Sequence, residues 1–315
     1  MKLLKANDIR GVWGSLLLPL KSDESIDWAA LERQIRCLCR SGVNGLYSNG
    51  TACEFFTQNE KEYEGVCERI ASVCEETETP FQIGASHMDY NIMRERIKTA
   101  VKYKPGAIQV ILPDWFPMSD AEISLFLERV VELTQWIGVV LYNPPHAKRV
   151  LKPKDIKALL LPVKGVIGLK TGAGDENWYA DMKDVFPEIS VFCPGHTMSS
   201  AIKRGAGGSY SNVACLSPKG AVHWYTLIQT DPEKALKLEA DIHRFMALHI
   251  APLMASGYAG FVMDKLMAAA GNWSPLDNRV RKPYRYPEKE TIEKVRQGAW
   301  ETVPKLMECN SADQL

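Results

Sequence analysis

Short apolar runs alternate with helical segments eight times between Gly11 and about Asn212, and that alternation leaves few folds open. Strands joined through helices run parallel, because each crossover returns the chain to the same end of the sheet. The runs are 11–18, 43–48, 81–86, 106–112, 138–142, 166–170, 189–193 and 205–212. Eight units are the count for a closed (β/α)8 TIM barrel of ~250 residues. Asp27 reads as an N-cap, and Thr57 with Glu60 and Ser119 with Glu122 read as capping boxes. From Ala221 onward the pattern is helical only, over 222–230, 232–253, 259–270 and, past the Pro- and Arg-rich 282–287, over 289 to about 307. The expected architecture is α/β, a barrel over 1–221 and a C-terminal α-helical appendage over 222–315, with the tail from Glu308 frayed.

Thirty-eight acidic and 38 basic residues balance, without a basic stripe interleaved with aromatics, so neither nucleic acid nor an anionic membrane is the expected partner. Small metabolites fit better. No apolar run approaches the ~20 residues that span a bilayer, and the first eight residues lack an export core, so a cytoplasmic protein is expected. The eight cysteines read as reduced thiols, and neither they nor the six histidines have metal-ligand spacing, so no metal is expected.

Lys164-Gly-Val-Ile-Gly-Leu-Lys-Thr-Gly172 sets an amine, Lys170, at the end of a buried strand. A lysine in water has a pKa near ~10.4 and is almost wholly protonated at neutral pH. Desolvation can lower that value by ~3, worth ~4 kcal/mol of nucleophile, and permits a Schiff base with a ketone. The other reading is a lysine whose stem packs at the strand end while its ammonium reaches water. The stretch alone leaves both open.

Other groups tip the balance. Tyr142 ends the fifth strand, 28 residues before Lys170, about one strand-helix unit, so both side chains can enter one cavity at the C-terminal mouth. A phenol beside an amine can move protons as a carbinolamine forms and loses water. Asn49-Gly-Thr-Ala-Cys-Glu54 reads as a tight turn before a helix whose amides suit a carboxylate, with the Thr51 hydroxyl placed to orient Tyr142. Together these suggest a 2-oxo acid.

Gly50-Thr-Ala-Cys-Glu54, Tyr142-Asn-x-Pro145 and Gly168-Leu-Lys170, in that order and at these separations, resemble the dihydrodipicolinate synthase / N-acetylneuraminate lyase family of pyruvate-dependent class I aldolases. The resemblance covers essentially the whole chain. It implies a lyase that needs no cofactor beyond the imine itself, with Lys170 as the Schiff-base lysine for pyruvate and Tyr142 as proton shuttle. It further implies that Thr51 and the Ala52 amide form the carboxylate site, in the turn where Gly50 is a further candidate contact, and that the assembly is a homotetramer, a dimer of dimers.

The chain departs from the subfamilies. Ala52 and Cys53 replace a hydroxyl residue and a glycine of the usual turn. Where the synthases bring a relay tyrosine from a neighbouring subunit this chain has Asp114-Trp115, and indole only donates. The synthases' arginine for the aldehyde's carboxylate is Ala147 here, with Lys148 and Arg149 as candidates to replace it. An acidic pair of the sialic acid lyases is replaced by Thr197-Met198, after Gly195-His196, while Gly208-Ser209 resembles them, so Gly195, His196, Gly208 and Ser209 are candidate contacts for a second substrate. Trp115, Phe116 and Trp178 are expected either to line an apolar pocket or to serve packing and dimer contacts. The expected reaction is condensation of pyruvate with an aldehyde or release of pyruvate from a longer 2-oxo acid. Two alternatives stand beside it: a hydro-lyase acting on a 2-oxo-3-deoxy sugar acid through the same imine, and a non-catalytic barrel that binds 2-oxo acids.

Overall fold

The computed structural model describes residues 1–172 and 174–311. Eight parallel strands close a barrel in sequence order: β1 (Gly11–Ser15), β2 (Gly45–Ser48), β3 (Phe81–Gly84), β4 (Ala107–Ile111), β5 (Gly138–Asn143), β6 (Val166–Thr171), β7 (Ser190–Phe192) and β8 (Gly208–Tyr210), which pairs with β1. The expected barrel is present. Several strands are shorter than their apolar runs, because the runs continue into loops at the barrel ends.

The crossover helices are α1 (Trp28–Arg40), α2 (Glu60–Glu76), α3 (Tyr90–Lys102), α4 (Asp120–Leu133), α5 (Pro153–Leu159), α6 (Glu176–Asp181) and α7 (Met198–Lys203). Asp27 caps α1 and Ser119 forms a capping box with Glu122 on α4, as expected. The box on α2 is different. Asn59 and Glu62 form it, because Thr57 closes a 3-10 turn and gives its hydroxyl to the Glu54 carbonyl.

Inside the barrel, Trp13, Tyr47, Ala107, Val140, Phe192 and Tyr210 make a cluster separate from the larger apolar layer between strands and helices. Two glutamines, Gln82 and Gln109, are also fully buried, and Gln82 accepts the Tyr210 hydroxyl. The barrel interior is therefore mixed, with the two glutamines in register with Ala107 and Val140 of that cluster.

After β8 come α8 (Asn212–Leu216), α9 (Pro218–Thr230), α10 (Pro232–Phe245), α11 (Ala251–Ala255), α12 (Gly260–Gly271), α13 (Lys289–Thr302) and α14 (Pro304–Ser311). The single helix expected over 232–253 is interrupted by a π-turn, Met246–Ile250. Pro252 has no N–H for the Leu248 carbonyl and its ring crowds that oxygen, so the chain widens ahead of it. Pro304 likewise splits the last expected helix. The tail from Glu308 is helical to Ser311 rather than frayed, and 312–315 lie outside the described residues. No helix among the described residues is long and apolar enough to cross a membrane.

Candidate active site

Lys170 leaves β6 toward the C-terminal mouth, in register with Tyr142 on β5. Three phenol rings surround its amine: Nζ lies 4.2 Å from the Tyr142 ring centroid, 5.3 Å from Tyr210 and 5.6 Å from Tyr47. Part of the side chain opens onto a cavity, but protein crowds the amine, and that desolvation lowers its pKa to about 8 against the favourable charge of Asp264. At that value roughly a tenth of the molecules carry a neutral amine at pH 7, about two hundredfold more than for a lysine in water. Burial raises the Tyr142 phenol to about 12, so it stays a protonated donor through the neutral range.

The cavity, about 800 Å³, is lined by Lys170, Tyr142, Thr51, Ala52, Gly195 and His196 together with Asp264 from α12. Six of the residues singled out in the sequence therefore meet at one mouth. Gly50 does not line it. That glycine is required because a Cβ there would lie 2.3 Å from the Tyr47 ring. Gly208 and Ser209 do not line it either: Tyr210 turns inward from β8, while the fully buried Ser209 hydroxyl faces Met198 Sδ on α7. The pleat of the strand sends neighbours to opposite faces. Trp115 and Phe116 stand out to solvent, and Trp178 packs on Tyr179 and Phe186.

The turn after β2 is more constrained than its sequence suggested. Thr51–Cys53 and Phe55–Thr57 form two 3-10 turns joined by Glu54, whose backbone is left-handed at φ +53°. That strain is held by a fully buried ion pair: Glu54 accepts from Lys265 of α12 and from the Arg281 amide, while Lys265 also donates to the Arg279 carbonyl. The pair ties the turn carrying Thr51 and Ala52 to the helix carrying Asp264.

Asp264 is the group that strand spacing could not find. Its carboxyl is surrounded by protein with Lys170 as its charged neighbour, and desolvation outweighs that attraction, raising its pKa to about 7. A signal existed in the sequence: α12 is apolar on nearly every side, so the adjacent charges at 264 and 265 had to be buried with partners. His196 lines the strand side, with Nδ1 3.0 Å from the Asn212 amide nitrogen, and burial lowers its pKa. The two cations near the replaced arginine position are engaged. Arg149 binds the Met118 carbonyl and Asp120, and Lys148 Nζ donates to the Trp115 carbonyl at 2.6 Å.

A closed (β/α)8 barrel with a desolvated amine at its mouth is the frame of a Schiff-base lyase of the class I aldolase type. The family model described as the dihydrodipicolinate synthetase family matches residues 8–298, and the chain belongs to that family. The chain is accordingly a lyase. An N-acetylneuraminate lyase of Citrobacter koseri is 25% identical over 250 residues, covering 78% of this chain and 83% of that one. Among solved structures, YagE of E. coli K12, a dihydrodipicolinic acid synthase family protein in complex with pyruvate, superposes with a TM-score of 0.82 at 19% identity, over 95% of this chain and 99% of that one. N-acetylneuraminate lyase from Fusobacterium nucleatum complexed with pyruvate gives 0.80 at 20% identity, over 95% and 99%.

Proposed function

We propose that Lys170 forms the imine of this lyase, with pyruvate or the 2-oxo end of a longer acid as the bound ketone. The observation that carries the reading is an amine held near a pKa of about 8 inside a cavity, with a protonated phenol 4.2 Å from it by ring centroid. The neutral amine attacks the C2 carbonyl. Tyr142 gives its proton to the departing oxygen, water leaves, and a protonated imine remains. That cation withdraws electrons, so as the C4 hydroxyl returns a proton to the Tyr142 phenolate the C3–C4 bond breaks to an enamine and an aldehyde, or forms from them in reverse. Thr51 and the Ala52 amide receive the carboxylate at the turn, and the Asp264 carboxylate balances the iminium charge.

Pyruvate is supported by the complexes of two structural relatives. A dimer-of-dimers tetramer in the cytosol agrees with the family likeness and with Trp115 and Phe116, 73% and 78% exposed on one loop. On this reading the helical region that begins at 222 roofs the barrel that precedes it.

The test is proton exchange in deuterated water. Reversible enamine formation replaces the methyl hydrogens of pyruvate by deuterium, which NMR follows directly. Exchange is expected with the native chain and not with Lys170→Ala. Equal exchange in both would remove Lys170 from the reaction.

A further inference from the structure

Beyond the amine, the cavity runs under helices that lie outside the barrel. Met246 and Ile250 come from the π-turn, Met254 from α11, and Phe261, Met263 and Met267 from α12. A π-turn costs regular hydrogen bonding and recurs at functional sites, and this one sends two apolar side chains into the same space. At about 800 Å³ the space far exceeds a three-carbon acid, so a second group of substantial size is accommodated.

The chemistry of that wall is narrow. Thioethers and a phenyl ring offer dispersion contact and no strong hydrogen-bond partner, so each hydroxyl of a sugar chain would lose its water without replacement. On the strand side the Asn212 amide nitrogen is bonded to His196, which leaves one buried amide oxygen there against the several hydroxyls of a sugar chain. An anionic tail fares no better. Lys170 is taken by the imine, Arg149 is held by Asp120, Lys148 is held by the Trp115 carbonyl, and the remaining charged groups of the lining, Asp114 and Asp264, repel an acid.

We propose that this compartment receives an uncharged apolar group, aryl or alkyl, so that the aldehyde partner of the lyase is neither a sugar nor an acid semialdehyde. The inference rests on the reading that the 2-oxo acid end sits at Lys170, and it names what lies at the other end.

Binding to Lys170→Ala, which cannot form the imine, separates pocket selectivity from chemistry. Isothermal titration would compare 4-phenyl-2-oxobutanoate with 2-oxoadipate and with a 2-oxo-3-deoxy hexonate. The phenyl acid is expected to bind at least about tenfold more tightly than either, since a buried ring carries most of such an affinity. Equal or tighter binding of the diacid or the sugar acid overturns the proposal. Met254→Lys, at a position 49% exposed and so tolerant of charge, is expected to improve 2-oxoadipate binding at least about threefold. No improvement there contradicts the placement of the chain end. If the phenyl preference holds while the native chain forms no trapped adduct with any 2-oxo acid, the imine reading falls and the pocket assignment stands.

Discussion

Tyr142 and Lys170 stand opposite each other in register on β5 and β6, with the amine 4.2 Å from the centre of the phenol ring. Neighbouring parallel strands in a barrel bring equivalent positions side by side, so a phenol at one strand end necessarily meets an amine at the next. The phenol keeps its proton because it is buried, and the amine gives one up more readily for the same reason. Burial thus prepares a donor and a nucleophile together.

Removing only the hydroxyl tests this pairing. Tyr142→Phe keeps the ring against Lys170 but withdraws the proton donor, and imine formation should slow by about 10²-fold. Thermal unfolding should hardly move, since burial and charge rather than a hydrogen bond set the state of that phenol. Stopped-flow measurement of adduct formation decides it, and an unchanged rate excludes Tyr142 from proton transfer.

The pH dependence should expose Asp264. With Lys170 near 8, the rate of adduct formation should climb with a midpoint near pH 8 and level off about one pH above it. The Asp264 charge favours the ammonium form, so Asp264→Asn removes that support and the midpoint moves to lower pH. Pyruvate adduct rates between pH 6 and 9 read this directly. A midpoint that stays or rises would mean the two groups are not coupled.

The Glu54–Lys265 pair should behave as a buried ion pair whose halves depend on each other. Lys265→Met leaves the Glu54 carboxylate unpaired inside the protein and should cost ~3–5 kcal/mol of stability. Adding Glu54→Gln should restore much of the loss. Urea unfolding of the two variants checks both signs, and a single variant losing under ~1 kcal/mol would deny the pair its structural role.

Helix α12 is also seated by a glycine. A Cβ on Gly271 would lie 1.8 Å from the Leu216 carbonyl oxygen, so Gly271→Ala must push α12 away from α8. Melting temperature and adduct rate should fall together, because Asp264 travels with that helix. Native values for both would show that the contact relaxes without moving the site.

The barrel and the Tyr142–Lys170 meeting were legible because both follow from period and spacing, which the chain carries locally. The apolar runs marked all eight strands, and the 28-residue separation placed two side chains at one mouth. Asp264 was not legible that way. It arrives from a helix 94 positions beyond the lysine, and only the fold brings it there, through a salt bridge whose partners are 211 residues apart. The Asn59 cap was misread because Thr57 and Asn59 both satisfy the same short pattern, and the 3-10 turn at Phe55–Thr57 chooses between them. Gly208 and Ser209 were named by resemblance, and the strand's pleat turns the serine away from the cavity.

The account stands on covalent capture of a keto acid by one lysine. Incubation with pyruvate and borohydride, followed by peptide mass analysis, measures it most directly. A single reduced adduct on the peptide containing Lys170, absent from Lys170→Ala, is the expected result. A native chain that takes up no adduct from pyruvate or any other 2-oxo acid, or that carries it on a different lysine, would contradict the account.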